Sequence, residues 1–205
     1  MSKLRHFLEQ SWLLIVSAFF FGVLIAIANA AWSPRIERNK VEKLNRLMRG
    51  LVAGAADFKP AGELEVKSPK GQKMVSSLYR AVSETNMPVG WVFTCEGSGF
   101  QDKIELVVAT DKDFRKFAGY AVLSSNETPN FGDKIKQSYF RSQFNGATVE
   151  TLELLKTGDD KIIDGKIVAI TGATVSSQAV VDIINNAAGQ IRNQVQEKGW
   201  LRNAR

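Results

Sequence analysis

The sequence predicts an α+β protein, with one N-terminal transmembrane helix followed by a single domain built on a mainly antiparallel sheet with flanking helices. Three observations carry this. An uncharged apolar run fills residues 11–31, segments rich in Val, Leu, Tyr and Phe alternate with Gly- and Asp-containing turns through the middle, and apolar residues recur at helical spacing after residue 178. In a chain of 205 residues this leaves about one ordinary domain beyond the anchor. The expected organisation is a tail over residues 1–10, a membrane helix over 11–31, a connecting amphipathic helix over 32–56 and a globular domain over 57–205.

The run SWLLIVSAFFFGVLIAIANAA, from Ser11 to Ala31, contains no charged side chain. At ~1.5 Å of rise per residue it matches the ~30 Å hydrocarbon core of a bilayer. Lys3 and Arg5 before it, and Ala28-Asn29-Ala30 near its end, imitate a cleavable secretory signal. The run is longer than a signal's ~7–15 apolar residues, and Trp12 and Trp32 stand where interfacial aromatic anchors stand, which favours an uncleaved helix. Basic residues lie on both sides, so charge alone barely orients it; an N-terminus inside and a domain outside is the working expectation.

After the anchor, Ile36, Val41, Leu44, Leu47, Met48, Leu51 and Val52 recur among charges at helical spacing, until Gly54, Asp57, Pro60 and Gly62 break the pattern. Extended segments are predicted at Gly90–Thr94, Lys103–Thr110 and Phe117–Ser124, with Gly97 and Gly99 in the hairpin between the first two. Asp164-Gly165, flanked by Lys161–Ile163 and Lys166–Ile170, predicts a tight hairpin. Ala179, Val180, Ile183, Ile184, Ala187, Ile191 and Val195 then predict a helix.

Composition removes several function classes. The net charge of +6 is spread among interleaved acids and bases, as in Arg35, Glu37, Arg38, Lys40, Glu42 and Lys43, which describes a solvated helix face and argues against nucleic-acid binding. Cys95 is the single cysteine, so the chain has no internal disulfide and no cysteine metal cluster; it reads as a small core residue. His6 is the single histidine, which excludes a histidine triad or multi-histidine metal site in the domain.

Thr171-Gly172-Ala173-Thr174-Val175-Ser176-Ser177 links a predicted strand to the last helix. A hydroxyl there is ordinarily a helix N-cap. The same place offers free amides and the positive end of a helix dipole, with small residues that let a phosphate approach.

At these residues the sequence resembles the FMN-binding domain found in the G subunit of Rnf-type ferredoxin:NAD oxidoreductase complexes and in the C subunit of the sodium-pumping NADH:quinone oxidoreductase. The resemblance runs through Gly97-Ser98-Gly99-Phe100, Asp102-Lys103-Ile104, the block Glu127-Thr128-Pro129-Asn130-Phe131-Gly132-Asp133-Lys134-Ile135, then Phe140, Gln143, Phe144 and Gly146, and ends on Thr171 to Ser176, all behind one membrane helix. The chain's length favours the Rnf-like protein.

The resemblance implies FMN joined covalently to Thr174 through a phosphoester made by a separate flavin transferase. Thr171, Gly172, Ala173 and Ser176 would surround the phosphate, and Glu127, Thr128 and Phe131 would lie near the flavin. It further implies an electron-transport flavoprotein in the bacterial inner membrane, N-terminus inside and FMN domain on the periplasmic or outer face. Such a chain relays single electrons among the integral-membrane and redox subunits of an ion-translocating oxidoreductase, a translocase, with no turnover of its own. No catalytic residue and no metal ligand are implied. There are two departures from the family pattern: Val168 stands where an aspartate is common, six residues before Thr174, and Asn130-Phe131 replaces Gly-Leu. Asparagine suits a positive φ better than most residues. Two other readings stand beside this one: a membrane-tethered binding or assembly module without a redox cofactor, and a free-standing flavin enzyme, for which there is no nucleotide motif.

Overall fold

The computed structural model describes residues 2–68 and 71–201, residues 2–10 as backbone only. Met1 of the expected tail and residues 202–205 of the expected domain lie outside the described residues. The chain divides into two compact units, Met1–Glu42 and Lys43–Arg205.

The first unit is helix. α1 runs without interruption over Ser2–Leu51, through Pro34, so the expected tail, membrane helix and connecting helix are one element. The apolar stretch from Ser11 carries a window of mean hydropathy 2.5 that is 0 % buried, and Leu13, Leu14, Phe19 and Phe20 stand open to the surroundings. An unburied apolar surface of this length matches the hydrocarbon core of a bilayer, and this segment is the candidate membrane anchor.

The second unit begins with the last turns of α1 and is organised by five antiparallel strands in chain order: β1 Asp57–Lys67, β2 Lys73–Val82, β3 Pro88–Ser98, β4 Lys103–Asp111 and β5 Phe117–Ser125. α2, Ser138–Arg141, and the short strands β6, Glu153–Leu155, and β7, Lys166–Val168, follow; α3, Thr174–Glu197, closes the chain. The α+β expectation holds, with the antiparallel sheet and helices on both its faces.

Alternation along β3 and β4 assigns the two faces. Trp91, Phe93, Cys95, Ile104, Leu106 and Val108 point to the side covered by Val180, Ile184, Ala187, Ile191 and Val195 of α3. Val92, Val107 and Ala109 point to the other side, where Leu44, Leu47, Met48 and Leu51 of α1 pack. Each fully buried aliphatic side chain contributes about 1.5–3 kcal/mol, so both helices are fastened to the sheet by many such contacts. Burial of the Cys95 thiol, and secondarily the charge of Glu96, push its pKa well up, so it is a core residue. Trp200 stacks on Trp91 at 6.4 Å.

Three expectations need correction. The extended region begins before Trp91: β1 and β2 precede it. Pro60 and Gly62, expected to break structure, lie in β1, an edge strand, where a missing amide is tolerated, and the register shifts between them at a bulge. Asp164-Gly165 is a turn, with Gly165 at φ +88° and the Lys166 amide donating to Asp164 Oδ1 at 3.0 Å, yet it makes no hairpin. Lys161–Ile163 is not a strand; β7 pairs in parallel with β6, Leu154 opposite Ile167. At the start of α3 the N-cap is Ala173, with no side-chain cap bond among the described residues.

Candidate cofactor site

The turn into α3 is held from behind. Ser177, fully buried, accepts the Ile170 amide at 3.1 Å and donates to the Ala173 carbonyl at 2.9 Å, tying strand exit to helix entry. Gly172 at φ +80° makes the bend, a conformation glycine adopts without steric cost. The first amide bonded within the helix is that of Ser177, to Ala173, so the amides of Thr174, Val175 and Ser176 have no acceptor inside it. Thr174 is exposed, and its hydroxyl has no hydrogen-bond partner among the described residues. A free hydroxyl beside three free amides at the positive end of a 24-residue helix suits a phosphate chemically.

Three segments far apart in sequence meet at this point. An open cleft of about 390 Å³ is lined by Thr174 with Gly172 to Ser176, by Thr128, Phe131 and Gly132, and by Phe100. Phe131, 55 % exposed, lies against Gly172, where an added methyl would come 3.4 Å from its ring. Phe100 and Val175, 66 % and 57 % exposed, stand on the rim as apolar surface. Asn130 has φ +64°, the conformation expected where the family carries glycine. Thr128 Oγ1 donates to Gln101 Oε1 at 3.1 Å. On the far side of Phe100 a larger groove, about 800 Å³, runs along α3 past Asp182 and Asn186.

Of the eight candidate residues, Thr171, Gly172, Ala173, Thr174 and Ser176 form one turn, and Thr128 and Phe131 reach the same cleft; Thr171 faces outward, toward a separate hollow shared with Tyr139 and Val168. Glu127 is different. It is 4 % exposed, set behind the wall, and accepts from the Gln101 amide at 3.1 Å and from the Ser176 hydroxyl at 2.5 Å. The Ser176 proton is thereby committed within the protein. Val168 sits in β7 with its amide donating to the buried Gln143 Oε1 at 2.7 Å. Sequence reasoning singled out neither Ser177 as the brace nor Phe100 as a wall. The second serine of the Thr-Gly-Ala-Thr-Val-Ser-Ser run was the available signal for Ser177; Phe100 carried none beyond its place beside Gly99.

Residues 99–189, which contain every element of this cleft, match the FMN-binding domain family. The chain is 30 % identical over 181 residues to the G subunit of the ion-translocating oxidoreductase complex of Methanosarcina acetivorans, covering 88 % of this chain and 92 % of that protein. It belongs to the family of G subunits of ion-translocating oxidoreductase complexes. A second member, the G subunit of the proton-translocating ferredoxin:NAD(+) oxidoreductase complex of Clostridium ljungdahlii, is 30 % identical over 87 % of this chain and 88 % of its own. The fold of this chain is similar to that of a crystal structure of Shewanella oneidensis NqrC, with a TM-score of 0.57 and 20 % identity over 73 % of each chain. The C subunit of the Na(+)-translocating NADH-quinone reductase of Parabacteroides distasonis superposes with a TM-score of 0.55 at 15 % identity, over 77 % of this chain and 95 % of that one.

Proposed function

We propose that this chain is the membrane-anchored electron carrier of an Rnf-type ion-translocating oxidoreductase complex, holding FMN through a phosphoester to Thr174 Oγ1. The observation that carries the reading is the uncommitted Thr174 hydroxyl, exposed at the start of α3 beside three amides without a helical acceptor, at the mouth of a cleft inside the FMN-binding segment. A hydroxyl serving as a cap would be engaged; this one is available for esterification.

Each lining residue then has a task. The ester fixes the phosphate, and the Thr174, Val175 and Ser176 amides neutralise its charge with the helix dipole. Gly172 keeps the backbone close to it. Phe131 and Phe100 offer apolar walls to a planar ring, and Thr128 a polar contact beside them. Bound FMN would supply the redox chemistry, accepting and passing on electrons, and the protein holds it and sets its potential. A tether suits a carrier facing the outside of the bacterial inner membrane, where a dissociated cofactor is lost; the domain therefore lies on the periplasmic or outer face, N-terminus inside. Its partners are integral-membrane and redox subunits of the same complex, and a flavin transferase matures it. The chain has no turnover alone.

The test is the intact mass of the chain expressed with its native partners and flavin transferase, with ultraviolet fluorescence of the denatured gel band. A gain of one FMN less one water, absent from Thr174→Val, supports the reading. An unmodified, non-fluorescent wild-type chain refutes it and leaves a tethered binding module.

A further inference from the structure

Glu127 is a buried carboxylate with no role yet beyond its place behind the cleft. Its Oε1 accepts from the backbone of the β3–β4 turn, Gln101 at 3.1 Å and Asp102 at the 3.5 Å limit; its Oε2 accepts from Ser176 in the first turn of α3 at 2.5 Å. The backbone before it is fastened too, its own amide donating to Ser125 Oγ at 3.3 Å. Two glycines leave room for the carboxylate: a methyl on Gly132 would meet Oε2 at 2.7 Å, and one on Gly99 would collide with Oε1. All three segments that line the cleft therefore converge on one side chain. Among the described residues no lysine or arginine pairs with it, so its charge is balanced only by hydrogen-bond donors and the helix end.

We propose that Glu127 is a positioning residue that holds the β3–β4 turn and the start of α3 in register around the flavin, and that its charge, paired with no cationic side chain, lowers the flavin's reduction potential. This rests on the FMN reading above. The physical reason is electrostatic: one hydroxyl, that of Ser176, separates the carboxylate from the cleft, burial weakens screening, and a negative charge behind the wall would oppose the addition of electrons to a cofactor held there. The side chain touches the cleft wall and not its interior, so it acts through Ser176 and the turn.

Glu127→Gln separates geometry from charge. A glutamine of the same length accepts from the Gln101 amide through its carbonyl and donates to Ser176 Oγ through its amide. The full-length chain, matured in its complex, is measured as wild type, Glu127→Gln and Glu127→Ala, reading bound FMN by fluorescence of the denatured band and midpoint potential by redox titration of the flavin absorbance. Expected are wild-type loading with a more positive potential for Glu127→Gln, and reduced loading for Glu127→Ala, which loses the strut. Glu127→Gln with an unchanged or more negative potential overturns the charge role, and Glu127→Ala with full loading overturns the positioning role. If the wild type itself carries no FMN, the underlying FMN reading fails instead.

Discussion

Gly132 and Gly189 differ in what surrounds them, and the same substitution at each should act in opposite directions. At Gly132 an alanine methyl would sit 2.7 Å from both Glu127 Oε2 and Ser176 Oγ, and 2.9 Å from Glu127 Cβ. Backbone strain plays no part, since its φ is not in the left-handed region. The methyl must part the Ser176 hydroxyl from the carboxylate or push the loop away from α3. Overpacking of this kind costs about 1–3 kcal/mol, and a hydrogen bond to a charged group contributes about 1.5–3 kcal/mol. Because yielding in one relieves the other, the two do not add fully, and Gly132→Ala should destabilise by about 2–4 kcal/mol. Gly189 is exposed inside α3 with nothing within 4 Å of an added methyl, so Gly189→Ala should stabilise by about 0.5–1 kcal/mol through lower backbone entropy in the unfolded chain. Urea unfolding of the detergent-solubilised full chain, followed by tryptophan fluorescence through the stacked Trp91 and Trp200, reads both. A Gly132→Ala protein within about 0.5 kcal/mol of wild type would show that the three segments are not held against each other as described.

Two further outcomes follow from local geometry. Asn130 at φ +64° should tolerate glycine without loss, whereas Asn130→Val should destabilise by about 1–2 kcal/mol in the same assay, because a β-branched side chain resists the left-handed region. Asp102 has its pKa lowered, chiefly by the Asn126 side-chain amide at 2.8 Å and then by the Lys103 amide at 2.7 Å. Asn126→Ala should therefore raise the Asp102 pKa in a carboxyl titration followed by NMR. A folded-state pKa below the unfolded one stabilises the fold above the unfolded value, and that contribution disappears as pH falls through the folded value.

What could be read in the sequence divides along physical lines. The anchor, α3, and the strands from Trp91 onward announce themselves because their apolar residues keep one period over many positions. β1 and β2 do not. β1 buries only Leu64 and Val66 and carries Pro60 and Gly62, so its identity comes from pairing with β2 and not from its own composition. The Asp164-Gly165 turn was visible, but the partner of β7 was not, since a parallel neighbour thirteen residues earlier leaves no local trace. At the candidate site, the turn that carries Thr174 was legible because it is contiguous in sequence. That Ser176 turns inward to Glu127 was hidden, because the two residues lie 49 positions apart and only the folded sheet brings them together.

The meander of five strands, each paired with the one made just before it, gives an order to events as well as a shape. Every strand pairing closes a short loop, which is kinetically cheap. Thr174 leaves the ribosome only after all five strands have been made, so the hydroxyl proposed to carry the ester is synthesised after every other segment that lines the cleft. On the proposed reading, a transferase that needs the finished turn would report on folding, because it would label only chains whose sheet had closed.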